Sequence, residues 1–150
     1  MRLAIRKASQ GIRRGQTPFG ACIVKKDEVV ACAHNGVWQT TDITAHAEIR
    51  AIRVACKKLK TIDLSGCIIY STCEPCPMCF CACHWARIDK IVYGTRIVDA
   101  RRRGFHELQI PNQKLKKMGG SPVKIVSDFL REESKKLFVD WFRRKNKKVY

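Results

Sequence analysis

The sequence lacks any apolar run long enough to cross a bilayer, and its charged N-terminal stretch does not have the pattern of a signal peptide. Internal repeats, low-complexity tracts and Gly/Ser-rich linkers are also absent. Because 150 residues can bury a core without disulfide staples, we expect a single domain over residues 1–150. Together these absences predict a cytoplasmic protein rather than a membrane-spanning or secreted one.

Acidic residues are scarce: 13 Asp and Glu stand against 30 Lys and Arg, which gives a net charge of +17. This excess fits an anionic partner such as nucleic acid, but it also fits a solvated, lysine-rich surface without a partner. The basic residues of the second half that could contact nucleic acid are Arg101, Arg102, Arg103, Lys114, Lys116, Lys117 and the run at 143–148. Charge alone leaves both interpretations open.

Cysteine, in contrast, is abundant, with nine in the chain. In a reducing compartment these residues are better explained as buried thiols together with a metal or redox site than as a disulfide framework. Three of them follow one another at a spacing of three in the stretch STCEPCPMC, residues 71–79. This stretch is therefore the candidate for a metal or redox site.

Helical and strand patterns alternate along the chain. Helices are predicted for a first segment that ends at Gly15, for 44–59, for 77–87, for a short segment near 99–105 and for 128–148. Strands are predicted for a hairpin at 21–33 and for 66–72, 90–95 and 122–127. This order predicts an α/β domain with helices on both faces of the sheet. In the helix at 44–59 we expect Thr44 at the N-cap and Ile49, Ile52 and Cys56 on the buried face.

His46, Cys76 and Cys79 form a candidate metal site. Cys76 and Cys79 have C-x-x-C spacing at the start of a predicted helix, where backbone N–H groups favour thiolates. Two thiolates and one imidazole suit Zn²⁺ and leave a fourth position for water. Glu48, two residues after His46, is placed to move a proton to or from that water.

Two other interpretations of these cysteines exist. A C-x-x-C pair in an α/β protein can be a thioredoxin-like redox pair, and Cys73, Cys76, Cys79 and Cys81 could instead hold a structural zinc. Neither accounts for the HAE stretch at 46–48. The combination of H-x-E with a later P-C-x-x-C is the signature of zinc-dependent nucleobase deaminases.

The sequence resembles the cytidine deaminase-like superfamily along nearly its whole length. The motifs that carry the resemblance are TPFGACIVK at 17–25, HN at 34–35, TAHAEIRAIRVACK at 44–57, STCEPCPMC at 71–79, HWARIDKIVYG at 84–94, DARRRGF at 99–105 and NKKVY at 146–150. Within the superfamily it is most similar to bacterial guanine deaminases, because tRNA adenosine deaminases typically have Val in place of Phe19 and Ser-Arg in place of Trp85-Ala86-Arg87. The resemblance implies a three-layer α/β/α fold with a central mixed five-stranded sheet.

The resemblance also implies roles for individual residues. His46, Cys76 and Cys79 would bind one Zn²⁺ per subunit, and Glu48 would transfer protons. The substrate purine would contact Asn35, the Ala47 backbone, Phe19, Trp85 and the terminal Tyr150, while Glu107 would touch the base and assist departure of the amine. Each of the last group also has a plain structural explanation, such as a core aromatic residue, a turn asparagine or a solvated carboxylate.

The expected activity is hydrolytic deamination of a purine base, with guanine converted to xanthine and ammonia, in a homodimer that exchanges its C-terminal segments in some relatives. The first alternative is deamination of adenosine in a tRNA anticodon loop, which the positive charge favours. The second is a basic zinc module that binds nucleic acid without catalysis. One departure from the family is the run FCACHWAR after CPMC, which adds Cys81, Cys83 and His84 near the expected metal.

Overall fold

The computed structural model describes residues 1–150 and contains seven helices and five strands. The helices are α1 (Arg2–Arg13), α2 (Val37–Thr40), α3 (Ala47–Leu59), α4 (Pro77–Trp85), α5 (Ile97–Arg101), α6 (Asn112–Met118) and α7 (Arg131–Phe142). The strands are β1 (Gly20–Lys25), β2 (Glu28–His34), β3 (Cys67–Cys73), β4 (Lys90–Thr95) and β5 (Lys124–Val126). No helix is both long enough and apolar enough to cross a membrane.

The five strands form one mixed sheet in the order β2-β1-β3-β4-β5. Strand β1 is antiparallel to β2 and β3, whereas β3, β4 and β5 are mutually parallel neighbours. Helices α1 and α7 contact each other, and α3 contacts α4, so the helices form two groups that pack on the sheet. The predicted three-layer α/β/α fold with a mixed five-stranded sheet is confirmed.

The buried face of α3 differs from the prediction. Ala47, Ala51 and Ala55 are fully buried there, whereas Ile49 and Ile52 are only partly covered. The three alanines recur at a spacing of four and therefore lie on one side of the helix. Small side chains on that side let the helix backbone approach the sheet closely, which the apolar pattern alone did not reveal.

Three further details correct the sequence analysis. His46, not Thr44, is the N-cap of α3, and helices α2 and α6 were not predicted. Cys22 and Cys32 form a disulfide, although only free thiols were expected. These two residues face each other in the β1–β2 register, and that pairing depends on how the hairpin closes.

Candidate active site

The site lies where the N-termini of α3 and α4 meet beyond the end of β3. His46 is the N-cap of α3 and Cys76 is the N-cap of α4, both with extended backbone. Pro77 occupies the first turn of α4, a position where its missing N–H costs no helical hydrogen bond. Cys79 follows in the same turn, so both sulfurs and the imidazole face a common point.

The three predicted ligands lie at metal-binding distances from one another. The Nδ1 atom of His46 is 3.6 Å from the Sγ atom of Cys76 and 3.6 Å from the Sγ atom of Cys79. All three ligand atoms lie within 4.8 Å of one another. Tetrahedral zinc with bonds of about 2.0–2.3 Å places its ligands about 3.5–3.8 Å apart, so the donor set and its spacing fit Zn²⁺.

The two thiols have pKa values that are shifted in opposite directions. Hydrogen bonding from Cys79 lowers the pKa of Cys76 to about 4, and His46 contributes in the same direction. The same pairing, together with burial, raises the pKa of Cys79. The pair therefore carries a thiolate at neutral pH even without a bound cation, which is the form that a metal requires.

Glu48 is buried beside these ligands, with only 5% of its surface exposed. One carboxylate oxygen lies 3.6 Å from the Sγ atom of Cys79, and the other accepts a hydrogen bond of 2.6 Å from the Ser71 hydroxyl. Burial raises the pKa of Glu48, although His46 and the Ser71 hydrogen bond oppose the shift. A carboxyl group with a raised pKa is suited to accept and return a proton near neutral pH.

A narrow pocket opens over these groups. Its walls consist of Phe19, Asn35, His46, Glu48, Cys73, Glu74, Cys76, Glu107 and Tyr150. Its free volume is about 20 Å³, which is room for about one water molecule. The structure therefore brings together the predicted ligands, the predicted proton carrier and four of the predicted substrate residues.

The C-terminal tail closes this pocket within its own chain. Asn35 donates a hydrogen bond of 2.6 Å from its Nδ2 atom to the Tyr150 hydroxyl, and the Tyr150 ring centroid lies 5.5 Å from that of His46. His106 donates from its backbone N–H to the Tyr150 carbonyl at 3.0 Å, and Trp38 donates from Nε1 to the Lys148 carbonyl at 3.3 Å. The tail is thus fastened at several points rather than frayed.

Glu107 lies in the pocket wall on the segment between α5 and α6. Burial raises its pKa to about 7, and the neighbouring Cys76 thiolate adds to the shift. Phe105, two residues earlier, is buried against Phe19 with ring centroids 4.9 Å apart. The aromatic contact holds this segment against the pocket.

Trp85 lies outside the pocket of its own chain. Its side chain is 79% exposed and lies in a separate groove with His84, Arg87 and Pro122, not in the pocket. Cys79 and Trp85 are six residues apart on α4, which is about 9 Å along the axis and about 240° around it. The helix therefore turns Trp85 away from its own site.

The other residues that the sequence analysis named near the metal site lie outside the pocket wall or outside the set of metal ligands, with Cys73 in the wall but not among the ligands. Ala47 is fully buried at the start of α3 and adds no side chain to the pocket wall. Cys73, Cys81 and Cys83 are free thiols outside the three-residue metal cluster, so the structural four-cysteine site is not assembled. His84 lies 3.0 Å from the Ser121 hydroxyl, on the outer side of α4.

Two wall residues were missed by sequence reasoning. Cys73 and Glu74 line the pocket because β3 ends there and the chain then turns towards Cys76. Glu74 stands in the same STCEPCPMC stretch, and a charged residue directly after a buried strand was the available signal.

Comparison with known proteins agrees with this geometry. Residues 1–95 match the family model of the cytidine and deoxycytidylate deaminase zinc-binding region. The chain therefore belongs to this family of zinc-binding deaminases.

Its relatives include enzymes that act on different substrates. Guanine deaminase of Bacillus subtilis is 44% identical over 108 residues, covering 71% of this chain and 69% of that protein. The tRNA-specific adenosine deaminase of Aquifex aeolicus is 38% identical over 143 residues, covering 91% and 93%. Among solved structures, a guanine deaminase from Nitrosomonas europaea superposes with a TM-score of 0.83 at 27% identity, covering 92% of this chain and 80% of that one.

We predict that the purified protein contains about one zinc per chain. Cys79→Ser should lose most of it, because a serine hydroxyl is a poor substitute for a thiolate ligand. Metal analysis by mass spectrometry after gel filtration measures this directly. Cys81→Ser is the matched control and should keep its zinc; loss from both variants would contradict the assigned ligand set.

Proposed function

We propose that residues 1–150 act as one zinc-dependent deaminase domain that hydrolyses the exocyclic amine of a purine base, converting guanine and water to xanthine and ammonia. The observation that carries the proposal is the closed pocket: Tyr150 covers His46 and bonds Asn35 within the same chain. The cytoplasm is the compartment that we propose, although the Cys22–Cys32 disulfide is uncommon in a reducing compartment.

The closed pocket favours a free base over a base within RNA. A tail that is fastened by Trp38, His106 and Asn35 covers the route by which a polynucleotide would enter. Any base requires the Tyr150 tail to move, because the free volume of about 20 Å³ holds about one water molecule, but a free base requires a smaller opening than a base within RNA. The aromatic ring of Phe19 supplies an apolar wall, and the Asn35 amide supplies a donor for a purine oxygen or nitrogen.

The chemistry follows from the positions of two carboxyl groups. When zinc is bound by His46, Cys76 and Cys79, it acts as a Lewis acid that makes water nucleophilic at neutral pH. Glu48 accepts the proton of the attacking water and returns it to the ring nitrogen and then to the leaving amine. Glu107, with a pKa near 7, can hydrogen-bond the departing amine and assist the last proton transfer. Ser71 holds the Glu48 carboxylate in place.

Deamination of adenosine in a tRNA anticodon loop is the second candidate. It is favoured by the net charge of +17 and by the Aquifex aeolicus relative, which matches over nearly its whole length. Arg101 and Arg102 precede Glu107 in the sequence, Lys116 and Lys117 follow it, and all four are exposed or partly exposed. Contacts from such residues to phosphate supply sequence-independent affinity for RNA.

A substrate panel separates the two candidates. We expect ammonia release from guanine and little from guanosine, cytosine, adenosine or an anticodon stem-loop, because the tail must open further for a base that carries a sugar or a sugar-phosphate chain than for a free base. Ammonia is measured with a coupled assay at equal enzyme concentration and fixed salt. Release only from the stem-loop would replace the first candidate by the second.

Glu48→Ala should keep both zinc and fold yet lose activity by a factor of about 10²–10⁴, because proton transfer to and from the attacking water fails. Turnover, zinc content and circular dichroism are measured together. Glu28→Ala, an exposed carboxylate on β2, is the control and should behave as wild type. A fully active Glu48→Ala protein would refute the assigned role. A wild-type protein that binds zinc but deaminates none of the substrates would support a non-catalytic zinc module.

We also propose that the enzyme is a homodimer. Trp85 and Met118 are 79% and 75% exposed, and both lie beside a groove that includes Leu115 of α6 and Cys81 of α4. Large apolar side chains clustered on a surface are typical of an interface. Trp85 faces away from the pocket of its own chain. Its exposed side chain is therefore free to pack against a second copy of the protein.

Trp85→Lys should shift the protein from dimer to monomer in sedimentation velocity experiments, because a charge cannot be buried unpaired in an apolar interface. Val29→Lys, on the distant edge strand β2, is the control and should leave the dimer intact. A wild-type protein that sediments as a monomer at tens of micromolar would overturn the proposal.

A further inference from the structure

Glu74 is a buried carboxylate that the proposed chemistry does not use. It follows β3, precedes Pro75 and the ligand Cys76, and is only 6% exposed. A buried carboxylate is costly unless its oxygens accept hydrogen bonds, so its partners indicate what it does.

The partners of Glu74 lie on three different elements. One oxygen accepts a hydrogen bond of 3.1 Å from the backbone N–H of Ile97. The other accepts a bond of 2.8 Å from the backbone N–H of Asn112 and a longer one of 3.3 Å from the Tyr93 hydroxyl. Two of the three donors are backbone groups at helix starts, because Ile97 opens α5 and Asn112 opens α6.

The segment between these two donors is the one that carries Glu107. It runs from α5 through Phe105 to α6, and its middle is partly exposed, with Leu108 largely in solvent. Phe105 packs in the aromatic core. The backbone N–H of Glu107 donates a hydrogen bond within the same segment, to the carbonyl of Phe105. Both ends of the segment are therefore tied to one side chain.

A second set of bonds joins the same parts of the chain. Asn112 donates from Nδ2 to the Pro75 carbonyl at 2.6 Å, and Glu74 donates from its own backbone N–H to the Thr95 carbonyl at 2.7 Å. The loop that carries the ligand Cys76 and the segment that carries Glu107 are thus connected through Glu74 and its neighbours.

We propose that Glu74 is a positioning residue: its carboxylate fastens both ends of segment 97–112 to the Cys76 loop and thereby sets where Glu107 stands over the metal ligands. This inference rests on the proposed function, in which Glu107 assists the leaving amine. Glu74 acts through Glu107 and touches no reacting atom.

The arrangement requires an acceptor at both oxygens. An amide at this position offers one acceptor and one NH₂ group, so Glu74→Gln sets a donor against either the Ile97 or the Asn112 N–H. The shape of the side chain is kept while one end of the segment is released. Tyr93→Phe is the matched control, because it removes only the 3.3 Å bond and leaves both backbone bonds in place.

A double-mutant cycle tests the proposal, with guanine as the substrate. Glu74→Gln should lower kcat/KM by about 10–100-fold in the wild-type background, because small displacements of a catalytic group cost this much. In the Glu107→Ala background the same change should cost less than about threefold, because the group that it positions is gone. Zinc content should be unchanged in all four proteins, and Tyr93→Phe should stay within about twofold of wild type.

An equal loss in both backgrounds would overturn the proposal, because a general structural defect does not depend on Glu107. Loss of zinc from Glu74→Gln would overturn it as well, since the effect would then act through Cys76.

Limited proteolysis separates this inference from the proposed function. Arg101, Arg102 and Arg103 lie within the clamped segment and are trypsin sites. Glu74→Gln should be cleaved there several-fold faster than wild type and Tyr93→Phe at the wild-type rate. Unchanged cleavage in Glu74→Gln would overturn the clamp even if guanine is deaminated. Faster cleavage in a protein that does not deaminate guanine would uphold the clamp and reject the substrate.

Discussion

The meeting of two helix N-termini at one end of the sheet is the constraint on which the site depends. Each N-terminus presents backbone N–H groups and the positive end of a helix dipole, and this environment stabilises thiolate over thiol. His46 and Cys76 are the N-cap residues of α3 and α4, so the ligands sit where that field is strongest. The sheet makes the meeting possible, because β2 and β3 are both antiparallel to β1 and therefore point in the same direction, and α3 and α4 follow them in the chain. Ligand sites in α/β sheets commonly lie beyond the carboxyl ends of such strands.

Burial raises the pKa of two of the three acidic residues that line the pocket, Glu48 and Glu107. Exposed carboxyl groups lose their protons well below neutral pH, but low polarity raises the pKa of Glu48 and brings that of Glu107 to about 7. The C-terminal tail contributes to this environment by covering the pocket with Tyr150. Closure, proton transfer and exclusion of bulk water are therefore linked through one short segment of the chain.

The surface charge and the pocket bear on substrate choice in different ways. A net charge of +17 would attract RNA, whereas the pocket, with about 20 Å³ of free volume under its own tail, must open before any base can enter. Charge acts over the whole surface and affects solubility and non-specific contacts. Substrate choice depends on the atoms that contact the base. The pocket is for this reason the better guide to the reaction. The relatives include enzymes of both kinds, which agrees with one fold serving two substrates.

Local sequence by itself predicted most of the element types, the α/β class and the candidate metal ligands, whereas the mixed five-stranded sheet was implied by the family resemblance. C-x-x-C at a helix start places two sulfurs close together through local geometry. The approach of His46 to these sulfurs depends on the fold, because about thirty residues separate them. Helix α6 was also within reach, since Pro111 precedes it and Gly119 ends it. Only the tertiary structure decided the other features. The alanine face of α3, the Cys22–Cys32 pair, the outward turn of Trp85 and the contacts of Glu74 all join segments that are distant in sequence, or depend on which side of an element meets the sheet. Such pairings follow from register, helix rotation and close packing of the whole chain, and no local pattern encodes them.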